Sequence, residues 1–180
     1  MLFAHDTEEG LSSAIALVNT DGTDGDQLTD IAALERFLHD YGWTGRFDRT
    51  AEELAAVRDL RGRLRRIWEA DEEGVVEIVN GVLREAHALP QLIRHDNLPY
   101  HLHATSRDAP LATRMAVEAA MAFVEVVRSG ELDRLRTCAL PSCGDVMIDL
   151  SKGRSKRFCS VTCGNRVAVT AYRARRAAGA

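Results

Sequence analysis

The first 137 residues of this 180-residue chain contain no cysteine, and no part of the sequence offers the ~20 consecutive apolar residues that a membrane span needs. The first ten residues, MLFAHDTEEG, lack the basic segment of a secretory signal, so we expect a cytoplasmic protein with no membrane partner. Phosphate-binding loops, G-x-S-x-G elbows and H-E-x-x-H motifs are also absent, and this argues against an enzyme.

Charge is divided unevenly along the chain, although the net charge is only −4. Residues 1–137 hold 15 Lys and Arg against 25 Asp and Glu, whereas residues 138–180 hold 8 against 2. An acidic body with a basic C-terminal part is typical of proteins whose basic part binds a polyanion. A solvated basic tail is the alternative interpretation.

Helical periodicity dominates residues 1–136. Apolar positions and end signals predict helices over about 11–18, 30–42, 51–68, 72–87 and 110–128. Runs at about 91–95 and 100–105 predict one small β-hairpin, in which His101 and His103 share a face. The arginines between 58 and 66 are interpreted as a solvated face paired with acidic residues. The body is thus predicted to be mainly α with one hairpin (α+β), and to fold on its own.

All four cysteines lie near the C-terminus, in the pattern C-x4-C-x15-C-x3-C formed by Cys138, Cys143, Cys159 and Cys163. Disulfides are disfavoured in the cytoplasm, so two short-spaced pairs within 26 residues predict one structural Zn²⁺ per chain. Four thiolates close a tetrahedral site and leave no position for a substrate. A set of reduced buried thiols or a redox pair is the alternative, and no C-x-x-C supports the latter.

The segments around these cysteines predict a treble-clef-like finger. VMIDLS is predicted to form one strand, KGRSK a hairpin loop and RFCS the returning strand. Ser160 or Thr162 then caps a helix that carries Cys163 in its first turn.

The helix after the last cysteine pair is predicted to be two-sided. At 100° per residue one stripe faces the metal and contains Cys163, Val167, Thr170, Ala171 and Ala174. A second face and the KGRSK loop supply the predicted nucleic-acid-binding residues, which are Asn165, Arg166, Arg173 and Arg176 together with Lys152, Arg154, Lys156 and Arg157. For Asn165 and Arg166 the alternative is a bracing role on the metal knuckle.

The CGNR tetrad at positions 163–166, the C-x4-C start and the Arg-rich helix resemble the CGNR zinc finger of bacterial regulators over about 138–176. Residues 10–130 resemble its usual partner, the ABATE-type domain, through the Asn19-Thr20 pair at a helix end and the segment SGELDRLRTC. Two features depart from the family pattern: the last cysteines are spaced by three residues rather than four, and Gly144-Asp145 replaces a large apolar residue.

The resemblance implies a stress-induced transcriptional regulator. In that interpretation residues 1–136 form a sensor or dimerisation domain, with a possible small-molecule effector and a possible homodimer, and residues 137–180 form a zinc finger that binds double-stranded DNA. The alternative is a zinc-stabilised protein-interaction adaptor that binds no specific DNA sequence.

Overall fold

The structure, a computed structural model, describes residues 2–23, 25–94 and 100–178. Within them the helices are α1 (His5–Asn19), α2 (Ile31–Asp40), α3 (Ala51–Arg65), α4 (Glu72–Glu85), α5 (Leu111–Arg128) and α6 (Val161–Ala178), with 3-10 turns at Arg66–Trp68 and Leu132–Arg134. The strands are β1 (Asp21–Gly22), β2 (Gly25–Asp26), β3 (Gln91–Ile93), β4 (His101–His103), β5 (Leu135–Thr137) and β6 (Val146–Ile148). The strands pair only as three antiparallel two-stranded ladders in the described residues, so the predicted mainly α fold is confirmed.

Side-chain caps define where the helices begin. The Asp30 carboxylate accepts from the N–H of Ala33 at the start of α2, and the Thr50 hydroxyl accepts from the N–H of Glu53 at the start of α3. Thr50 therefore provides one half of a capping box. The Glu53 carboxylate binds the N–H groups of Asp48 and Arg49 instead of returning to Thr50, so it orders the incoming loop.

Helix α5 is the centre of the core. It packs against α1, α3 and α4, and its Val117, Phe123 and Val126 are fully buried. Helix α1 approaches it closely at Gly10, where an added Cβ would lie 3.1 Å from the Cβ of Ala122. The arrangement buries one apolar stripe from each helix, as helical layers require. No helix in the described part of the chain is long and apolar enough to span a bilayer.

The body differs from the prediction at its first helix and first loop. Helix α1 begins at His5 rather than near residue 11, and the Gly-rich loop after it forms the two-residue ladder of β1 and β2. The one hairpin predicted for the body is present as β3 and β4, with Ile93 opposite His101. Its first strand was expected to reach His95, which lies outside the described residues.

The interpretation of the α3 arginines as a solvated face is wrong for two of them. Arg61 is only 7% exposed and its guanidinium lies 2.6 Å from an Asp26 carboxylate oxygen. Arg65 donates to backbone carbonyls of α1 and of the cysteine region. Arg63 does pair with Glu85 at the surface, as predicted. Periodicity marks which side of a helix is polar, but it does not show that a neighbouring loop covers that side.

The C-terminal hairpin has a different partner from the one predicted. Strand β6 pairs with β5, which precedes the first cysteine, and residues 155–158 form no strand. The cause is Asp149, whose side chain is fully buried and accepts from the N–H groups of Ser151 at 2.9 Å and Lys156 at 2.7 Å. These N–H groups bind a carboxylate, so a wide loop replaces the expected hairpin turn.

Strand β6 also belongs to the core of the body. Val146, 2% exposed, and Ile148 are part of the same buried cluster as α1 and α5. The boundary proposed between residues 136 and 137 falls inside β5. The division into two domains stays a prediction.

Candidate metal centre and basic helix

The four cysteines reach one point from four segments. Cys138 follows β5, Cys143 precedes β6, Cys159 precedes α6, and Cys163 lies in the first turn of α6. The Ser160 hydroxyl accepts from the N–H of Cys163 at 3.2 Å, which confirms the predicted cap and fixes the last ligand.

The sulfur geometry fits a single tetrahedral ion. All four Sγ atoms lie within 4.8 Å of one another. Cys143 and Cys159 are 3.6 Å apart, Cys143 and Cys163 are 3.6 Å apart, and Cys159 and Cys163 are 3.5 Å apart. Zinc–thiolate bonds of ~2.3 Å in a tetrahedron separate the sulfurs by about 3.8 Å. A small outward movement therefore brings the cluster to the geometry of bound zinc.

The knuckle between the first two ligands is held by its own backbone. The N–H of Cys138 donates to the carbonyl of Asp145 at 2.8 Å, and the N–H of Cys159 points to the sulfur of Cys138 at 3.4 Å. Gly144 has φ +70°, a left-handed conformation that favours glycine. The departure from the family pattern at Gly144 is thus consistent with the tight turn that this chain makes after its second ligand.

The surroundings of Cys143 and Cys159 oppose the ionisation of these two thiols, whereas at Cys138 burial is outweighed by hydrogen bonds from neighbouring backbone and side-chain groups, which lower its pKa. Burial raises the pKa of Cys143 to about 12. Burial also raises the pKa of Cys159, and the Asp145 carboxylate, 3.2 Å from its sulfur, acts in the same direction. Metal binding needs thiolates, so it must displace protons here and becomes weaker in acid.

The predicted basic surface is present on α6 but only partly on the loop. Asn165, Arg166, Arg173 and Arg176 are all exposed, and none of the three arginines has an acidic partner among the described residues. The stripe opposite is buried at Cys163, half-buried at Val167 and Ala171, and exposed at Thr170 and Ala174, because the packing ends after about three turns.

The loop residues are held by the fold to different degrees. Arg154 lies 2.7 Å from Glu131 and 4.0 Å from Asp133, so its charge is already compensated. Lys152, Lys156 and Arg157 have no such ion pair in the described part of the chain, and Arg157 lies over the Phe158 ring. Buried Arg134 binds the carbonyls of Asp149 and Ser151 and so fixes where the loop begins.

The bracing role considered for Asn165 and Arg166 has no contact to support it. Neither side chain makes a hydrogen bond to the cysteine knuckle among the described residues. Gly164 is the member of the tetrad that packs inward, since a Cβ there would lie 3.4 Å from the Phe158 ring.

Sequence reasoning missed the contacts between the body and β6. Asn19, Arg65 and Trp68 all bind backbone groups of residues 144–147. The only sequence signal was the Asn19-Thr20 pair, noted as a point of resemblance without a role. Between α1, α2 and the cysteine module lies a groove of about 990 Å³, lined by Asn19, Phe37 and Arg166 among others.

The two hairpin histidines share a face, as predicted. Their Nε2 atoms are 3.0 Å apart, and Nδ1 of His103 is 3.3 Å from a Glu118 carboxylate oxygen on α5. Within the described residues, the four cysteines are the one group of three or more His, Cys, Asp or Glu side chains arranged to hold a metal ion.

A helical body followed by a four-cysteine module with a basic helix corresponds to known families. Residues 11–130 match the ABATE family, described as "putative stress-induced transcription regulator", and residues 134–176 match the CGNR zinc finger. Since the first match covers more than half of the chain, the chain belongs to the ABATE family, and the resemblance in its sequence is confirmed. A search of curated proteins gave no match.

Proposed function

We propose that the chain is a zinc-dependent transcriptional regulator of the bacterial cytoplasm that binds double-stranded DNA through its finger. Cys138, Cys143, Cys159 and Cys163 hold one Zn²⁺, which stabilises the finger and has no catalytic role. Residues 137–180 form the DNA-binding part. Residues 1–136 act as the sensor or dimerisation part.

The observation that carries this proposal is the set of uncompensated cations in the finger. Of its eight Lys and Arg side chains, only Arg154 forms an ion pair with the described residues. Arg166, Arg173 and Arg176 project from a helix that is anchored at its first turn by a metal ligand, while Asn165 offers an amide on the same face. Arginine and asparagine bind phosphates and base edges of duplex DNA, and a helix of this width fits the major groove.

The adaptor alternative is favoured by a different feature of α6. Val161 is 80% exposed and Tyr172 is 54% exposed, and both lie on the face that carries the arginines. Exposed apolar side chains among cations also suit a protein partner with an acidic, partly apolar surface. DNA is preferred because seven of the eight cations of the finger have no ion-pair partner among the described residues.

The groove between α1, α2 and the cysteine module supports the sensor role. Phe37 and Tyr41 stack there with ring centroids 4.7 Å apart, and Arg36 and Asp40 lie at its rim. Aromatic and charged groups together suit a small polar effector. An effector that binds here would contact both the body and the finger.

Salt dependence of binding to duplex DNA tests the proposal. If the seven uncompensated cations contact phosphates, log K should fall with log[salt] at a slope of about −0.9 for each phosphate contact, so we expect a slope of about −6. Selection of bound fragments from genomic DNA then asks for a shared sequence. A shallow slope without selected sequences, together with a tight protein partner, would favour the adaptor.

A further inference from the structure

The segment that follows the second metal ligand is held by side chains of the body. The Asn19 amide pairs with both backbone groups of Val146: its Nδ2 donates to the carbonyl at 2.9 Å, and its Oδ1 accepts from the N–H at 2.9 Å. One side chain thus takes the place of a neighbouring strand along this edge of β6.

Two further side chains complete the contact. Arg65 donates to the carbonyl of Gly144 at 2.9 Å, and its second nitrogen donates to Val18 and Asp21 at the end of α1. The Trp68 indole N–H donates to the carbonyl of Met147 at 3.0 Å, while its ring packs edge-on against Phe123 of α5.

These three contacts reach residues one, three and four positions after the ligand Cys143. Hydrogen bonds thus fix the backbone of this segment to the body, and the side chains of Val146 and Ile148 enter the body's core. We propose that Asn19, Arg65 and Trp68 are positioning residues of the metal centre, and that the body thereby raises the metal affinity of the finger.

The physical reason is pre-organisation. The metal binds tightly only when four thiolates meet at one point, and a knuckle already held in place loses less conformational entropy on binding. Affinity is reduced by the fraction of chains in which the knuckle is out of place. Linkage makes the effect reciprocal, so bound metal must stabilise the docked position of β6 to the same extent.

A metal centre positioned by the body differs from an autonomous finger. A finger that assembles from its own residues would bind metal equally well whatever Asn19 or Trp68 does. An autonomous finger would also imply that residues 1–135 fold alone, and that expectation stays a prediction. The proposal rests on the metal site of the proposed function but not on DNA binding, so it holds or fails independently of whether the finger binds DNA.

Two matched tryptophan variants of the full chain provide the test. Trp68→Phe removes the donor to Met147, whereas Trp43→Phe removes a similar indole donor that bonds Ser13 inside the body at 2.9 Å. Each zinc-loaded protein is mixed with excess chelator, and metal release is followed with a chromogenic indicator. We expect Trp68→Phe and Asn19→Ala to lower apparent metal affinity about threefold to tenfold, the equivalent of one neutral hydrogen bond. Trp43→Phe should keep the wild-type affinity even if its melting temperature falls as far.

The reciprocal measurement follows the two indole N–H signals of the wild-type chain by NMR as zinc is added. We expect the Trp68 signal to shift and its exchange with solvent to slow, and the Trp43 signal to stay in place. Wild-type metal affinity in both Trp68→Phe and Asn19→Ala would overturn the proposal. So would a Trp68 signal that does not respond to zinc, and this measurement needs no variant to fold.

Discussion

The body and the finger use the same cationic side chain in opposite ways. Eight of the fifteen arginines in residues 1–137 lie within ion-pair distance of an Asp or Glu among the described residues, namely Arg46, Arg49, Arg58, Arg61, Arg63, Arg128, Arg134 and Arg136. In the finger, one cation of eight is paired among the described residues. More than half of the body's arginines thus bind acidic groups of the fold, whereas the arginines of α6 have no acidic partner among the described residues.

The difference follows from the acidic side chains that each region contains. The finger has only Asp145 and Asp149, and the structure directs both inward, to a cysteine sulfur and to loop N–H groups. No acidic group of the finger is therefore left for the cations of α6. Composition alone shows the excess of positive charge in the finger, but only the contacts show that these cations form almost no ion pairs among the described residues. The comparison predicts different consequences for loss of the metal, of a body arginine, of a loop carboxylate and of the α6 arginines.

Loss of a metal ligand should have the largest effect. Cys159→Ser is expected to abolish metal binding and unfold residues 138–178, since structural zinc supplies much of the folding free energy of a small module. The far-ultraviolet circular dichroism should keep most of the signal of α1–α5. Elemental analysis and limited proteolysis measure the two effects. A variant that retains one zinc and wild-type protection would contradict the four-cysteine site.

Removal of a buried body arginine should destabilise the fold without touching the metal. Arg61→Met leaves Asp26 without its main partner, and we expect a loss of about 2 kcal/mol of unfolding free energy. The loss is smaller than for a fully buried pair, because the Asp26 side chain is 35% exposed. Chemical denaturation measures it. Arg66→Met is the control, since Arg66 is exposed and unpaired among the described residues.

Asp149 is a buried carboxylate that holds the loop at residues 150–156 of the finger. Burial works against its ionised form, but hydrogen bonds from Ser151 and Lys156 outweigh burial and hold the pKa of this carboxyl below its usual range. A depressed carboxyl pKa adds stability above the unfolded value of about 3.9, and this stability is lost as pH falls through the folded value. Asp149→Asn should therefore cost about 1–2 kcal/mol at neutral pH and remove that acid-dependent step.

Hydrogen exchange at residues 150–156 across about pH 2–5 measures the loosening of this loop, because the stabilisation is lost below the unfolded pKa of about 3.9. Asp133→Asn is the control, because the Asp133 side chain is 89% exposed. Equal behaviour of the two variants would show that the Asp149 carboxylate does not organise the loop.

The α6 arginines should matter least for stability. Arg173→Ala with Arg176→Ala is expected to leave the melting temperature and zinc content unchanged, because neither side chain has a partner among the described residues. DNA affinity should fall, and the salt slope should flatten by about one unit for each residue. Arg175→Ala removes one charge from the other side of α6 and should have the smaller effect. If the salt slope of DNA binding is unchanged in the double variant, α6 does not bind DNA through these arginines and the adaptor function is favoured.

Local signals in the sequence predicted where the helices form, apart from the early start of α1, and marked the four cysteines that the structure brings together. Spacing of three or four residues brings Cys159, Ser160 and Cys163 together within one helical turn, whatever the rest of the chain does. The caps Asp30 and Thr50 act on N–H groups three residues away in the same way. The surface of α6 was also predictable, because a helix that projects into solvent obeys its own periodicity.

Contacts between distant segments could not be predicted. Asn19 and Val146 are 127 residues apart, and Trp68 and Met147 are 79 apart, so no spacing rule connects them. The same holds for the partner of β6: RFCS was the predicted partner, but β5 pairs with β6, and the buried Asp149 carboxylate binds the loop that was expected to form the hairpin turn. Whether an arginine finds an acidic or carbonyl partner within the fold also depends on where loops and helices meet. The sequence alone determined the cysteine spacing and the helix faces because both are local, and the tertiary structure decided how the cysteine module packs against the body because that depends on contacts across the whole chain.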